Sequence, residues 1–294
     1  MNYNNEFADF ELSNDEIEEV FANYLNKMID FSHYNLNSDE KRQIYNLYLK
    51  KKISKPISDK CMYLYGNYFK NIADYDNMKK YYLLAIENGN SLAMYDLGYH
   101  YYKLKDYDNM IKYYDMASQN NNYDACYNLG YYYGKQGDYD KMKKYYLITI
   151  ENNNDHEAMN NLGYYYEQEG DYDQMLKYYK MASKNGNLKA INNLGYYYQK
   201  INNYDKMKKY YLMGINYGDH GSMVNLANYY QNSGDYDKME QYYQLAAESG
   251  NIAAMNNLGH YYKSTQDYMK MNKYYTMALN LENNVKLLRA KGRY

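Results

Sequence analysis

Two stretches of apolar residues at helical spacing stand side by side between residues 155 and 187. In the first stretch, apolar side chains recur at i, i+4 and i+7 or i+8, which is the pattern of a helix with one buried face. Its members are Ala158, Leu162 and Tyr165 or Tyr166. The second stretch has the same spacing, and its members are Met175, Tyr178 or Tyr179, and Ala182. The pattern predicts two amphipathic helices, with at most two of the three tyrosines 164–166 facing the core.

Residues that end and begin helices separate the two stretches. Gly170 suits the left-handed position that closes a helix, and Asp171 is a good N-cap for the next one. Gly186 and Asn187 play the same two parts after the second helix. Because both connections are short, the two helices are predicted to form an antiparallel hairpin. The small residues Gly163 and Ala182 are expected to let these helices approach closely, with one aromatic ring per helix filling the space around them.

The hairpin pattern occurs seven times, at intervals of 32 or 33 residues. The small residue after the recurring Leu is Gly66, Gly98, Gly130, Gly163, Gly195, Ala227 and Gly259. A Tyr-Tyr pair follows each of them, beginning at Tyr81, Tyr113, Tyr145, Tyr178, Tyr210, Tyr242 and Tyr274. Such a regular period is the mark of a solenoid, in which each repeat buries its apolar face against its neighbours. The predicted fold class is therefore all-α, an α-solenoid of about seven antiparallel two-helix repeats.

The array divides the chain into three predicted parts. Residues 60–280 hold the repeats. Residues 1–59 lack the repeat, and helices opening at Ser13 and Ser38 are expected to form a cap or a separate binding module. Residues 281–294 are expected to form a capping helix or a tail.

The segment "YYQLAAESGNIAAMNNLGHYY", from Tyr242 to Tyr262, resembles a Sel1-like repeat, a relative of the tetratricopeptide repeat. The turn inside each hairpin is shorter than in Sel1-like repeats and is closer to the tetratricopeptide type, whose period is about 34 residues. The resemblance implies a right-handed superhelix whose first helices line a concave groove. It also implies a role in binding protein partners, since some members of this family hold a peptide backbone with Asn on the first helix.

Composition narrows the function classes. The mean hydropathy is −0.96, but the 50 tyrosines account for this value because each carries a large apolar ring. The net charge is −2, which offers little attraction for nucleic acid or an acidic membrane. Cys61 and Cys126 are expected to be buried packing residues, without a disulfide or a metal. The start of the chain lacks the features of a signal peptide and no apolar run is long enough to span a membrane, so a soluble intracellular protein is expected.

A row of amide and phenol side chains falls at the positions expected to face the groove. The residue before the recurring Leu is Asp96 and then Asn128, Asn161, Asn193, Asn225 and Asn257. The position before that adds Asn160, Asn192 and Asn256, and the position after the small residue adds Tyr99, Tyr131, Tyr164 and Tyr196. An amide can pair with both the N–H and the C=O of a peptide unit, and tyrosine provides stiff contact area. The alternative is that the Asn side chains bond neighbouring helices across repeat interfaces.

These features favour a non-catalytic interaction scaffold that binds a protein or peptide in its groove, without a cofactor. The sequence contains no catalytic or metal-binding motif, such as a Gly-x-Ser-x-Gly elbow or a His-Glu-x-x-His pair. The other hypothesis is an RNA-binding repeat protein that reads bases with its Asn and Tyr positions. The net charge of −2 disfavours that hypothesis, because phosphate binding needs a basic surface.

Overall fold

The computed structural model of the protein describes Glu40 and residues 58–290, and every described element is an α-helix. The fourteen helices of the described residues are α1 (Asp59–Asn71), α2 (Tyr75–Glu87), α3 (Ser91–Lys103), α4 (Tyr107–Gln119), α5 (Tyr123–Gln136), α6 (Tyr139–Asn153), α7 (His156–Glu169), α8 (Tyr172–Lys184), α9 (Leu188–Lys200), α10 (Tyr204–Asn216), α11 (His220–Ser233), α12 (Tyr236–Glu248), α13 (Ile252–Ser264) and α14 (Tyr268–Ala290). Odd-numbered helices are the first helices of the seven repeats, and even-numbered helices are the second.

The described chain forms two compact units, divided between residues 153 and 154. The first unit contains three hairpins, α1–α2, α3–α4 and α5–α6, and the second contains the four hairpins from α7–α8 to α13–α14. Within each unit the second helix of one hairpin also packs against the first helix of the next. The all-α solenoid of antiparallel pairs is confirmed, and the right-handed superhelix stays a prediction. The division coincides with the single 33-residue interval, between Gly130 and Gly163.

The predicted helix ends are confirmed in the fourth repeat. Gly170 closes α7 with a φ of 76°, and Asp171 Oδ1 accepts a bond from the Gln174 backbone N–H at 3.1 Å. Asn187 caps α9 in the same way, accepting from the Ala190 N–H at 2.9 Å. Side-chain caps of this type satisfy donors that a helix cannot satisfy itself. Four repeats place a residue other than glycine at the position of Gly170, with φ between 57° and 61°: Ala73, Lys105, Asn202 and Gln266.

The small residue of each Leu-Gly step makes room for a ring. In α7, a Cβ built on Gly163 would lie 2.5 Å from Cδ1 of Tyr179, whose side chain is fully buried. The same contact joins Gly98 to Tyr114 and Gly130 to Tyr146, at 2.7 Å in both cases. The expected close approach of the two helices is thus made through the second tyrosine of the pair, which lies flat over the glycine.

The first tyrosine of each pair stacks on an aromatic ring of the first helix. The seven stacked pairs have ring centroids 5.5–5.7 Å apart and planes within 9° of parallel. In the fourth repeat Tyr178 stacks on Tyr166 at 5.6 Å. Tyr178 and Tyr179 are both buried, so the expectation of one core ring per helix was wrong. Both fit because Tyr179 lies over a residue without a side chain, while Tyr178 packs beside it on the ring of Tyr166.

The ends of the array are described in part. Apart from Glu40, Ser58 and Asp59, the predicted N-terminal part lies outside the described residues, including the helices expected at Ser13 and Ser38. Ser58 caps α1 by accepting from the Cys61 N–H at 3.2 Å. At the other end α14 continues to Ala290, so residues 281–290 extend the last repeat helix. Cys61 and Cys126 are buried free thiols, as expected.

Candidate functional site

The predicted tyrosines of the first helices are exposed in both units. Tyr99 and Tyr131 in the first unit expose 37% and 47% of their surface, and Tyr164 and Tyr196 in the second expose 56% and 60%. Each of these tyrosines directly follows the glycine that packs against a buried ring. Its own side chain therefore points away from the core. We call the surface formed by these tyrosines and the Asn row beside them the first-helix face of each unit.

In the first unit, the row next to the recurring Leu is tied to the preceding first helix. Asp96 of α3 accepts a bond from Tyr63 Oη of α1 at 2.8 Å and an ion pair from Lys70 at 3.1 Å. Asn128 of α5 donates through Nδ2 to Tyr95 Oη of α3 at 3.3 Å, and to Tyr114 Oη at 3.4 Å. These side chains therefore join successive repeats as well as lining the face.

In the second unit, pairs of Asn side chains form the hydrogen bonds between successive first helices. Asn193 Nδ2 donates to Asn160 Oδ1 at 3.4 Å, and Asn225 Nδ2 donates to Asn192 Oδ1 at 3.4 Å. In each pair the two residues are 33 positions apart, which is the separation that joins Asn128 to Tyr95 in the first unit. Each unit therefore has its own inter-repeat hydrogen bonds in this register, with phenols as partners in the first unit and amides as partners in the second.

Two residues of the predicted site, Asn160 and Asn192, use their amide groups in hydrogen bonds within the protein. Asn160 is 6% exposed and accepts from Asn193. Asn192 donates to Asp219 Oδ2 at 2.7 Å and to the Leu188 carbonyl at 3.1 Å, while its oxygen also accepts from Ser222 Oγ at 3.1 Å. Asn192 thereby holds the start of α11 against α9, since Asp219 is the N-cap of α11. We assign packing roles to Asn160 and Asn192.

The other predicted amides are half-buried on the same face: Asn128, Asn161, Asn193, Asn225, Asn256 and Asn257. The bonding between neighbouring helices, one of the two expectations for the Asn row, is present at Asn128, Asn193 and Asn225. In these three bonds the amide nitrogen donates, which leaves the amide oxygen as the group that a ligand N–H could reach. A ligand-binding role for the row stays a prediction.

A cleft of about 450 Å³ opens on the first-helix face of the first unit, between α3, α4 and α5. It brings together the predicted residues Tyr99, Asn128 and Tyr131. Sequence reasoning did not place six further tyrosines of its lining in the site, and these are Tyr95, Tyr102, Tyr107, Tyr114, Tyr127 and Tyr132. One signal was available, because a tyrosine begins the second helix of every hairpin, as Tyr107 does in α4, and in six of the seven it lies between two acidic or amide residues. Tyr107 reaches the next repeat, where its ring lies 5.4 Å from that of Tyr132.

The polar groups of the cleft are phenols, two amides and one ammonium. Burial raises the pKa of Tyr95 and of Tyr114, so both phenols keep their protons at neutral pH. Lys135 Nζ lies 5.4 Å from the centre of the Tyr131 ring, and Lys103 Nζ lies 5.2 Å from that of Tyr99. These distances are those of cation–π contacts, so the cations of the chain itself occupy these ring faces.

A metal site and a membrane-spanning helix are both absent from the described residues. Those residues contain no group of three His, Cys, Asp or Glu side chains that could hold a metal ion. No helix that the structure describes is long and apolar enough to cross a membrane.

Comparison with known proteins agrees with the geometry. A family model described as tetratricopeptide repeat matches residues 123–148, 156–184, 188–214 and 220–249. A Sel1 repeat protein from Oxalobacter formigenes is similar in structure, with a TM-score of 0.54, 24% identity and coverage of 73% of this chain and 98% of its own. The C-terminal part of a TPR repeat-containing protein from Cytophaga hutchinsonii has a TM-score of 0.53 and 16% identity, covering 75% of this chain and 95% of its own. No curated protein matches the chain significantly. The repeat period, the hairpins and these matches together show a fold of Sel1/tetratricopeptide-like repeats, with the family model matching four of the seven repeats.

Proposed function

We propose that the protein is a non-catalytic scaffold that binds a segment of a partner protein on its first-helix face. Repeats of the Sel1 and tetratricopeptide kind are generally protein-interaction modules and are typically non-catalytic. The observation that carries the proposal is the series of exposed tyrosines at one repeat position, Tyr99 and Tyr131 in one unit and Tyr164 and Tyr196 in the other. Apolar rings exposed in a regular row are typical of a surface that a partner covers.

The amide row supports a polypeptide partner. Asn193 and Asn225 use their nitrogens within the protein, so their oxygens can accept from the backbone N–H groups of a bound segment. Because the nitrogen is fixed by the neighbouring helix, little side-chain entropy is lost on binding. Tyrosine adds contact area at low entropic cost for the same reason, since its ring has few rotatable bonds.

The charge pattern of the face supports contacts that depend weakly on salt. In the second unit the tyrosine and Asn positions are uncharged, and Lys189, the cation beside them in the fifth repeat, is paired with Glu157 at 3.0 Å. Binding through such a surface should persist at high ionic strength, whereas binding to nucleic acid should weaken steeply.

The proposal is tested by affinity capture from cells that express the protein, followed by identification of the retained proteins. The variant Tyr164→Ala/Tyr196→Ala removes two exposed rings from the face of the second unit. The matched control, Leu212→Ala/Leu245→Ala, removes two apolar side chains of similar exposure, 42% and 39%, from the second helices. We expect a partner to be retained by the control and lost by the first variant. Equal retention by both variants, each with wild-type circular dichroism, would remove the support for this face.

A further inference from the structure

We propose that the tyrosine cleft of the first unit binds a proline-rich segment in the polyproline II conformation. The inference rests on the proposed function, since it gives the chemistry of one partner for one part of the same face. It concerns only the cleft between α3, α4 and α5.

The lining of the cleft is mostly aromatic. Its walls are pairs of tyrosines, with Tyr99 and Tyr102 at 6.3 Å and Tyr107 and Tyr132 at 5.4 Å between ring centres. The ring of Tyr107 is held against a neighbouring repeat, so this wall is fixed before any ligand arrives. Grooves lined by aromatic rings are the surfaces on which proline-rich segments dock, because a pyrrolidine ring packs between two aromatic rings. The cleft volume of about 450 Å³ lies in the range of ligand sites, so it can hold a short piece of such a segment.

The hydrogen-bonding groups of the cleft favour a ligand that accepts bonds. Tyr95 accepts from Asn128 and lines the cleft, so its own O–H proton can be donated to a ligand. Tyr114 also accepts from Asn128, but its side chain is buried. Lys135 can only donate, and none of the described residues that line the cleft is a carboxylate. Proline has a carbonyl but no N–H, and polyproline II has no internal hydrogen bonds, so its carbonyls are free to accept.

The charges around the cleft favour a neutral ligand over a cationic one. Lys135 and Lys103 already lie against the rings of Tyr131 and Tyr99, where a ligand cation would otherwise bind. The nearby carboxylate of Asp96 is engaged by Tyr63 and Lys70. The 294 residues contain one proline, Pro56, so no proline-rich segment lies within them.

The test measures binding of fluorescein-labelled decaproline to the full-length protein by fluorescence anisotropy. Two peptides of the same length serve as comparisons, one of alternating Gly and Ser and one of Glu. We expect saturable binding of decaproline at one site, little binding of the Gly-Ser peptide, and a weak dependence on salt. Absence of saturable decaproline binding, or tighter binding of the Glu peptide, would overturn the proposal.

Variants locate the site. Tyr99→Ala/Tyr131→Ala should weaken decaproline binding at least about tenfold, since two aromatic contacts are lost. Tyr164→Ala/Tyr196→Ala alters the same repeat positions in the second unit and should leave decaproline binding unchanged. Tyr95→Phe keeps the ring and removes one donor, so it should weaken binding by about fivefold. Equal weakening by the two double variants would place the peptide elsewhere and refute the inference.

The two proposals fail separately. If decaproline does not bind while Tyr164→Ala/Tyr196→Ala still loses a captured partner, the scaffold function stands and the polyproline site is refuted. If decaproline binds in the cleft and no partner depends on the second unit, the first-helix face functions only in the first unit.

Discussion

Replacing Gly163 by alanine tests whether the recurring glycine is required by the ring packed over it. The added Cβ would meet Cδ1 of Tyr179 at 2.5 Å and Cε1 at 2.7 Å. The ring cannot move away easily, because it is fully buried and its hydroxyl donates to Glu167 at 2.8 Å. Either the ring must shift or the two helices must separate.

Two effects of opposite sign determine how much Gly163→Ala changes the free energy of unfolding. Overpacking of a close-packed core costs about 1–3 kcal/mol, whereas alanine in place of glycine inside a helix contributes about 1 kcal/mol of stability. Because the 2.5 Å contact is with a ring that is fully buried, the overpacking cost should lie in the upper half of this range, and Gly163→Ala should lower the free energy of unfolding by about 1–2 kcal/mol. The assay is urea unfolding of the full-length chain followed by circular dichroism at 222 nm.

Gly134→Ala provides the matched control on α5. A Cβ at Gly134 would meet the Sδ of Met142 at 2.9 Å, and a flexible thioether can turn away at little cost. This variant should therefore be as stable as the wild type or more stable, by up to about 1 kcal/mol.

The cause is checked by a double-mutant cycle. Tyr179→Leu should cost less in the Gly163→Ala background than in the wild type, because the smaller side chain relieves the clash. If Gly163→Ala proves as stable as the wild type, the ring does not need the glycine and the reasoning is refuted.

Three further predictions concern the turns, the tyrosines and the array. Lys105 has a φ of 61° at the turn where other repeats have glycine, so Lys105→Gly should raise stability by roughly 0.5–1 kcal/mol; an unchanged urea midpoint would contradict this. Burial raises the pKa of Tyr211 to about 12, above its value of about 10 in the unfolded chain, so its contribution to stability is complete below pH 10 and is lost as the pH rises through 12. Absorbance at 295 nm reports all 50 tyrosines, so the last part of its rise should coincide with the loss of helical circular dichroism, and full ionisation near pH 10 with the helices intact would be the opposite result. Deleting residues 163–194 joins Leu162 to Gly195 and should leave a shorter helical protein, because stability in a solenoid is nearly a sum over neighbouring repeats; loss of the helical signal would contradict the array.

The sequence predicted features that depend on local chemistry. Gly170 and Asp171 mark the turn between α7 and α8 because a left-handed φ and a side-chain cap are properties of a few residues. The period of 32 residues predicted the hairpins because each repeat must bury the same stripe. Neither prediction depends on which residues pack against the helix.

The features that could not be predicted from the sequence depend on which side chains contact each other in the folded protein. Helical periodicity places Asn192 and Asn193 next to each other on one helix, yet Asn192 is bonded on all sides to α11 and α9 while Asn193 is bonded through its nitrogen to α7. The cleft was missed for the same reason, since Tyr107 contributes to it from a second helix by packing on Tyr132 of the next repeat. A period assigns a residue to a face, but its partner depends on the packing of neighbouring hairpins.

The stacked ring pairs also determine the fluorescence of the protein. The chain has 50 tyrosines and no tryptophan, so tyrosine is its only strong ultraviolet fluorophore. Excitation passes readily between identical rings whose centres are 5.5–5.7 Å apart, as in every hairpin of the described residues. Emission should therefore be strongly depolarised even while the helices stay rigid. Nitration of a single tyrosine within a unit would then quench the emission of many others. Because this transfer depends on the packed rings, the fluorescence of the array should report its unfolding.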